Sequence, residues 1–273
     1  MTTMRTATSD RGSAIPLLLT SSVVAHDPGV KLRDTGERMH HTLESVAQWL
    51  RIYPALPIVL CDGSNYDLQA LVREKFPGAN IECLAFENNQ AMVRKLGRGY
   101  GEGEIVRYAL KHSRLIRHAG CFAKCSSKLW VENFMECKRW WNGSLLCQGV
   151  FLNVFSPFMA TVFQYIDTRF YISSISTYEQ YFVNAHLQIG TKAGHGLEEC
   201  FHDVFCQQGI HHSLLPITPV INGLGGGTGR YYKNSFKRML KDRLRLFLVR
   251  SNPKFAALFS HWDSLRTSGA ASS

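Results

Sequence analysis

The chain has 273 residues, 45% of them hydrophobic and 19% charged, with Lys and Arg outnumbering Asp and Glu by 31 to 21. That balance excludes a largely disordered chain, and no run of ~18 apolar residues is available for a spanning helix. The net charge of +10 selects acidic partners: phosphates, nucleic acid or an anionic membrane face.

Residues 1–13 are polar and read as a disordered tail. The apolar stretch 14–19 after Arg5 and Arg11 imitates a signal peptide. Pro16 and the run Thr20-Ser21-Ser22 interrupt it, so 17–25 reads instead as a first buried strand. Leu43, Val46, Ala47 and Leu50 repeat at helical spacing and mark an amphipathic helix. A second buried strand, 57–61, is stopped by the turn residues Asp62-Gly63-Ser64-Asn65. A helix over 66–76 and a strand over 81–86 follow. The glycine-rich loop 97–103 then precedes a helix carrying Ile105, Val106, Ala109, Leu110 and Ile116, and 121–126 is a fourth strand. This alternation predicts an α/β domain with a mainly parallel sheet and helices on both faces.

The second half is β-rich over 145–155 and 168–174, helical over 177–186 and 197–205, and closes with a strand over 212–216. A glycine loop, 223–229, sets off a basic segment in which Phe236, Leu240, Leu244, Phe247 and Leu248 fit an amphipathic helix. The expected organisation is a body over 14–222, an appendage over 223–266 and disordered tails over 1–13 and 267–273. Eight cysteines are dispersed without a CxxC pair, which argues against a disulfide scaffold and for reduced thiols in the cytosol.

Ligands of parallel α/β sheets bind beyond the carboxyl ends of the strands, a rule that gathers Thr20, Asp62, Ser64, Asn65 and Lys124 at one rim. Asp62 can accept from a ribose hydroxyl or a base N–H, or can form an Asx turn that only ends its strand. The loop Gly97-Arg98-Gly99-Tyr100-Gly101-Glu102-Gly103 does not follow a strand as a dinucleotide fingerprint requires. It reads as an anion-binding loop, or as a helix start capped by Glu102 or Glu104. Lys124 and Lys128 lie four apart around a strand end, and an ammonium on a buried strand needs an anion or a route to the rim. Asp167 and Arg169 form either a structural ion pair or a phosphate clamp. Glu198 and His202 share a helix face, as a general base with its orienter or as a surface pair. His40-His41 and His211-His212 lack the spaced acidic partners of a metal site.

Taken in order, Thr20, Arg38, Gln48-Trp49-Leu50, Cys61-Asp62-Gly63-Ser64-Asn65, Gly99-Tyr100-Gly101-Glu102, Phe122-Ala123-Lys124, Asp167-Thr168-Arg169-Phe170, Leu197-Glu198 and Gly226-Thr228-Gly229-Arg230-Tyr231 make a pattern. The pattern resembles small bacterial glycosyltransferase-like proteins of capsule and lipopolysaccharide assembly, over about residues 17–232. The resemblance implies a GT-A-like, Rossmann-related fold and transfer from a nucleotide-sugar donor to a glycan or lipid-linked acceptor. It also implies a nucleotide-sugar site formed by Thr20, Arg38, Asp62, Ser64, Asn65, Lys124, Lys128 and Arg169.

Two departures bear on mechanism. Lys124-Cys125-Ser126-Ser127-Lys128 stands where the pattern has Lys-x-x-Gly-Arg, and no Asp-x-Asp follows an apolar strand, since Arg169 occupies the second acid's place. Activity without Mg²⁺ or Mn²⁺ is therefore expected, with Lys124, Lys128, Arg169 and Arg38 taking the leaving group's charge. Glu198, Asp167 and Glu102 are the candidate bases. The rivals are a basic nucleic-acid-binding protein and a Rossmann methyltransferase. Residues 230–250 alone carry a net +7, so the body is not a basic groove and nucleic acid is not favoured. A basic amphipathic helix there would lie on an anionic membrane, which places the protein in the cytoplasm or peripherally on the inner face of the plasma membrane.

Overall fold

A computed structural model describes residues 14–192, 194–232 and 235–260. The expected tails over 1–13 and 267–273 lie outside the described residues. The main sheet has six strands: β1 (Leu17–Ser21), β2 (Ile58–Asp62), β3 (Ile81–Ala85), β4 (Cys121–Ser126), β6 (Leu145–Leu152) and β7 (Val162–Ser174). A second sheet joins β5 (Leu129–Val131), β8 (Ile221–Gly225) and β9 (Arg230–Tyr232). The main sheet runs β3-β2-β1-β4-β7-β6, parallel through β4, with β7 antiparallel to both β4 and β6. This mixed α/β architecture, a mostly parallel six-stranded sheet with helices, is consistent with a Rossmann-like fold.

The run that imitates a signal peptide is the central strand. Leu17, Leu18 and Leu19 are fully buried, Leu17 and Leu19 in one core and Leu18 in the other, as a parallel strand covered on both faces requires. One face packs under α1 (Thr35–Ile52), α2 (Gln69–Lys75) and later α6 (Phe134–Lys138). The other is covered by α3 (Gln90–Leu96), α4 (Arg98–His112), α5 (Arg114–Ala119) and α8 (Leu197–Gln207). Between α6 and α8, the short α7 (Ile175–Thr177) leads into a π-helical turn, Tyr178–Phe182, and a 3-10 turn, Ala185–Gln188, where one helix was expected. The last elements among the described residues are α9 (Phe236–Ser251) and α10 (Pro253–Ala256).

Three expectations are corrected. The glycine run 97–103 is helical: α4 begins at Arg98, with Gly97 at φ +84 linking it to α3. Its glycines serve close packing, since a Cβ at Gly101 would sit 2.9 Å from Asn88 Nδ2 and one at Gly103 2.3 Å from His186 Cβ. The loop 223–229 is the end of β8 and the β8–β9 turn, and because β8 pairs with β5 through Gly223 it is joined to a second sheet. Residues 212–216 form no strand, only single bridges of Leu214 to Cys147 and Phe259. All eight cysteines are free thiols, five of them buried.

Candidate active-site cleft

A cleft of about 730 Å³ opens at the carboxyl ends of β1 and β4, walled by the first turns of α4 and α8, by β7, and by the β8–β9 hairpin turn. Thr20, Arg38, Glu102, Lys128, Asp167, Arg169 and Glu198 line it. Sequence spacing treats Lys124 and Lys128 alike, but the structure separates them.

Lys124 is fully buried and already neutralised. Its Nζ lies 2.6 Å from Glu102 Oε1 and donates to the Thr168 carbonyl at 2.8 Å. It thus spends its charge tying α4 to β7 and aiming Glu102. Lys128, 6% exposed, makes no hydrogen bond or ion pair among the described residues. Burial, reinforced by repulsion from Arg38 and only partly offset by Asp62, pushes its pKa down to about 7.

Arg38 is equally buried. Its Nε donates to the Ser22 carbonyl and its Nη1 to the Leu32 carbonyl, both at 2.8 Å, with no carboxylate in ion-pair range. Both cations border one point of the hairpin turn: a Cβ on Gly226 would lie 3.5 Å from Lys128 Cδ and 3.8 Å from Arg38 Nη1. Neither cation has a carboxylate in ion-pair range among the described residues, although Asp62 acts on both at longer range and Asp27 on Arg38, and two such cations sharing a concavity form a site for an anion. The hairpin sets this geometry. Leu224 N donates to the Lys128 carbonyl at 3.0 Å, and Gly223, at φ +104, passes so close that a Cβ would sit 2.2 Å from that oxygen.

The three carboxylates also divide. Glu102 is held by Lys124. Asp167 is gripped by Arg169, whose Nε reaches its two oxygens at 2.9 and 3.1 Å, while the guanidinium lies over the Tyr232 ring at 5.0 Å. The Asp167–Arg169 pair is therefore mutual, and little of Arg169's charge remains for a ligand. Glu198, in the first turn of α8, has no ion pair among the described residues. Burial, and then the neighbouring Glu102, Asp167 and Glu199, raise its pKa. Glu199 is spent on the helix end, accepting from Gly196 N at 2.9 Å.

Asp62, Ser64 and Asn65 do not line the cleft. Asp62 is buried and its oxygens accept from Val23 N at 2.8 Å, Ser64 N at 2.8 Å, the Ser64 hydroxyl and Tyr66 N. It stitches the ends of β1 and β2 together. Asn65 is exposed in a left-handed turn at φ 58. Thr20 does line the cleft, and Thr20 Oγ1, Ser21 Oγ and Asn88 Oδ1 are buried there without a hydrogen-bond partner among the described residues. Ser21 and Asn88 escape sequence reasoning because neither belongs to a motif. Only the position of Ser21 at a strand's carboxyl end could have marked it.

His202 contacts Cys206 Sγ at 3.4 Å and Asp203 at 3.7 Å, and it does not orient Glu198. The view that His40-His41 lacks an acid is also corrected, since Glu44 Oε2 lies 2.9 Å from His41 Nδ1 one helical turn on. Among the described residues these three form the sole cluster of potential metal ligands, and none lines the cleft.

No protein-family model and no curated protein matches the chain. Solved structures do match. The bifunctional IspDF from Campylobacter jejuni is 12% identical with a TM-score of 0.38, over 72% of this chain and 48% of that one. HddC from Yersinia pseudotuberculosis is 15% identical with a TM-score of 0.33, over 62% and 80% respectively. The chain thus spans about half the length of the IspDF chain. The resemblance to surface-polysaccharide glycosyltransferase-like proteins is corrected: no family model carries it, and these neighbours are not members of that group. Short motifs in a shared order are compatible with many Rossmann-like chains, because strand-end acids and helix-start glycines recur wherever the fold does.

Proposed function

We propose that the cleft binds the phosphates of a nucleotide-activated substrate and that the chain is a transferase. The observation that carries this reading is the pair of buried cations, Lys128 and Arg38, that lie beneath the β8–β9 turn with no ion-pair partner among the described residues. The orphaned polar atoms of Thr20, Ser21 and Asn88 supply hydrogen bonds for the remainder of the ligand.

Within that class the reading is glycosyl transfer to a hydroxyl acceptor, and Glu198 favours it. A phosphate nucleophile arrives already ionised and needs no base, whereas a hydroxyl does. Glu198 takes the acceptor proton as the acceptor oxygen bonds to the sugar's anomeric carbon. The bond from that carbon to the donor phosphate breaks, and its electron pair leaves on the phosphate oxygen. Protonated Lys128 and the free N–H groups of Arg38 stabilise that charge. Asp167 and Glu102 are each held by a cation, so in this reading Lys128 and Arg38 take the role that a divalent ion would otherwise play, while Asp27, Glu198 and Glu199 also line the cleft.

Incubation with a panel of UDP-, CMP- and GDP-sugars, with S-adenosylmethionine alongside, tests the reading. Glycosyl transfer releases the nucleotide without pyrophosphate. Pyrophosphate release would assign nucleotidyl transfer instead. Binding of S-adenosylmethionine or RNA alone would overturn the class.

A further inference from the structure

We propose that the protein docks on an anionic lipid bilayer through one edge, made by the β6–β7 hairpin tip and helix α9. The proposal is independent of the reaction in the cleft. Phe155, Phe158 and Met159 crowd the turn between β6 and β7, where Phe158 is 94% exposed. Turns are ordinarily polar, so three large apolar side chains at one tip need a partner.

Helix α9 supplies the adjoining half. Of the apolar stripe expected from sequence, Leu240, Leu244, Phe247 and Leu248 do not pack inward, and the Phe236 side chain lies outside the described residues. Leu240, Leu244 and Phe247 are exposed, Phe247 at 65%, and Val249 is the buried residue among the described side chains of the helix. The two halves touch. Phe155 lies beneath Lys241 Nζ at 5.8 Å and Arg245 Cζ at 5.7 Å. Together with Lys237, Leu240 and Leu244, Phe155 and Lys241 line a shallow hollow of about 430 Å³.

The chemistry of this edge is apolar and cationic at once. Lys237, Arg238, Lys241, Arg243, Arg245 and Arg250 stand on α9 against Asp242, which Arg245 and Arg238 already neutralise at 3.1 and 3.8 Å. An occupant must be apolar within and negative at its surface, as acidic phospholipid is. A second copy is disfavoured because a two-fold contact sets the same cations against each other. Topology adds a consequence. Cys125 of β4 pairs with Phe170 of β7 in antiparallel register, so β7 residues before Phe170 run past the carboxyl end of β4. The hairpin tip therefore projects from the end of the sheet that bears the cleft.

Co-sedimentation with phosphatidylglycerol-containing and pure phosphatidylcholine vesicles tests this on the full chain. Binding is expected to the anionic vesicles alone, to weaken steeply with salt, and to fall about tenfold or more in Phe158→Asp/Met159→Asp. Lys237→Glu/Lys241→Glu should abolish it, with thermal midpoints of both variants near wild type. No binding at low salt, or undiminished binding by both variants, overturns the proposal. A concentration-dependent dimer lost in Phe158→Asp/Met159→Asp would overturn it too, assigning the edge to self-association.

Discussion

Replacing Lys128 by Met should make the protein more stable and a worse binder at the same time. In the empty cleft Lys128 carries a charge that burial and Arg38 oppose, and the fall from 10.5 to about 7 corresponds to about 5 kcal/mol. Between these two values the unfolded chain holds a proton that the folded chain has lost. Raising the pH from about 7 towards 10 therefore stabilises the empty wild type, a slope absent from the variant. Since Met keeps the length of the stem, the variant should gain ~1–4 kcal/mol near pH 7 in urea denaturation, the gain known for replacing buried charged groups by apolar ones of similar volume. It should bind a nucleoside diphosphate about 10- to 150-fold more weakly, the worth of a charged hydrogen bond. Above pH 7.5, where phosphate ionisation is complete, wild-type affinity should fall by up to about tenfold per pH unit and the variant's should stay flat. A destabilised variant with undiminished, pH-dependent affinity would refute the reasoning.

The same substitution four residues earlier should have the opposite effect: Lys124→Met strands Glu102 and costs ~3–5 kcal/mol in denaturant. Glu198→Gln should lower turnover ~10²–10⁴-fold with donor affinity retained. In wild type, the rate should rise as pH climbs through the raised Glu198 pKa, a limb that the variant lacks. Gly223→Ala adds a Cβ 2.2 Å from the Lys128 carbonyl in a left-handed backbone; it should cost ~2 kcal/mol or more and weaken nucleotide binding through displacement of Lys128. Turnover should persist in EDTA, and loss restored by Mg²⁺ or Mn²⁺ would show that an ion, not Lys128 and Arg38, carries the leaving group's charge.

Much of the parallel half of the fold is legible in the sequence because buried strands announce themselves. Residues 58–61 are an apolar run bounded by turn chemistry, 121–126 is one interrupted only by Lys124 before Ser126, and the helix through Leu43 and Val46 shows its period. What escapes is set by tertiary packing. The glycines at 99, 101 and 103 look like a loop until Leu197, Asn88 and His186, in that order, are seen to fill the space that side chains would take. The turn at 223–229 looks like a linker because its partner strand, Leu129–Val131, is only three residues long. At the site, residue type locates Glu198, Lys128 and Arg38, but pairing decides their roles. Nothing in the spacing of Lys124 and Lys128 tells that Glu102, a helix away, claims only the first. Asp62 is equally opaque, since its four donors come from three residues whose convergence depends on the turn.

Calorimetric titration of the wild-type chain with UDP, CDP and GDP, each beside its parent nucleoside, is the most direct test of a phosphate-binding cleft. At least one diphosphate should bind, its nucleoside at least tenfold more weakly, and the difference should narrow by about 10- to 150-fold or to nothing in Lys128→Met. Equal affinity for nucleoside and diphosphate, or a difference that the substitution leaves undiminished, would contradict a phosphate site built on Lys128.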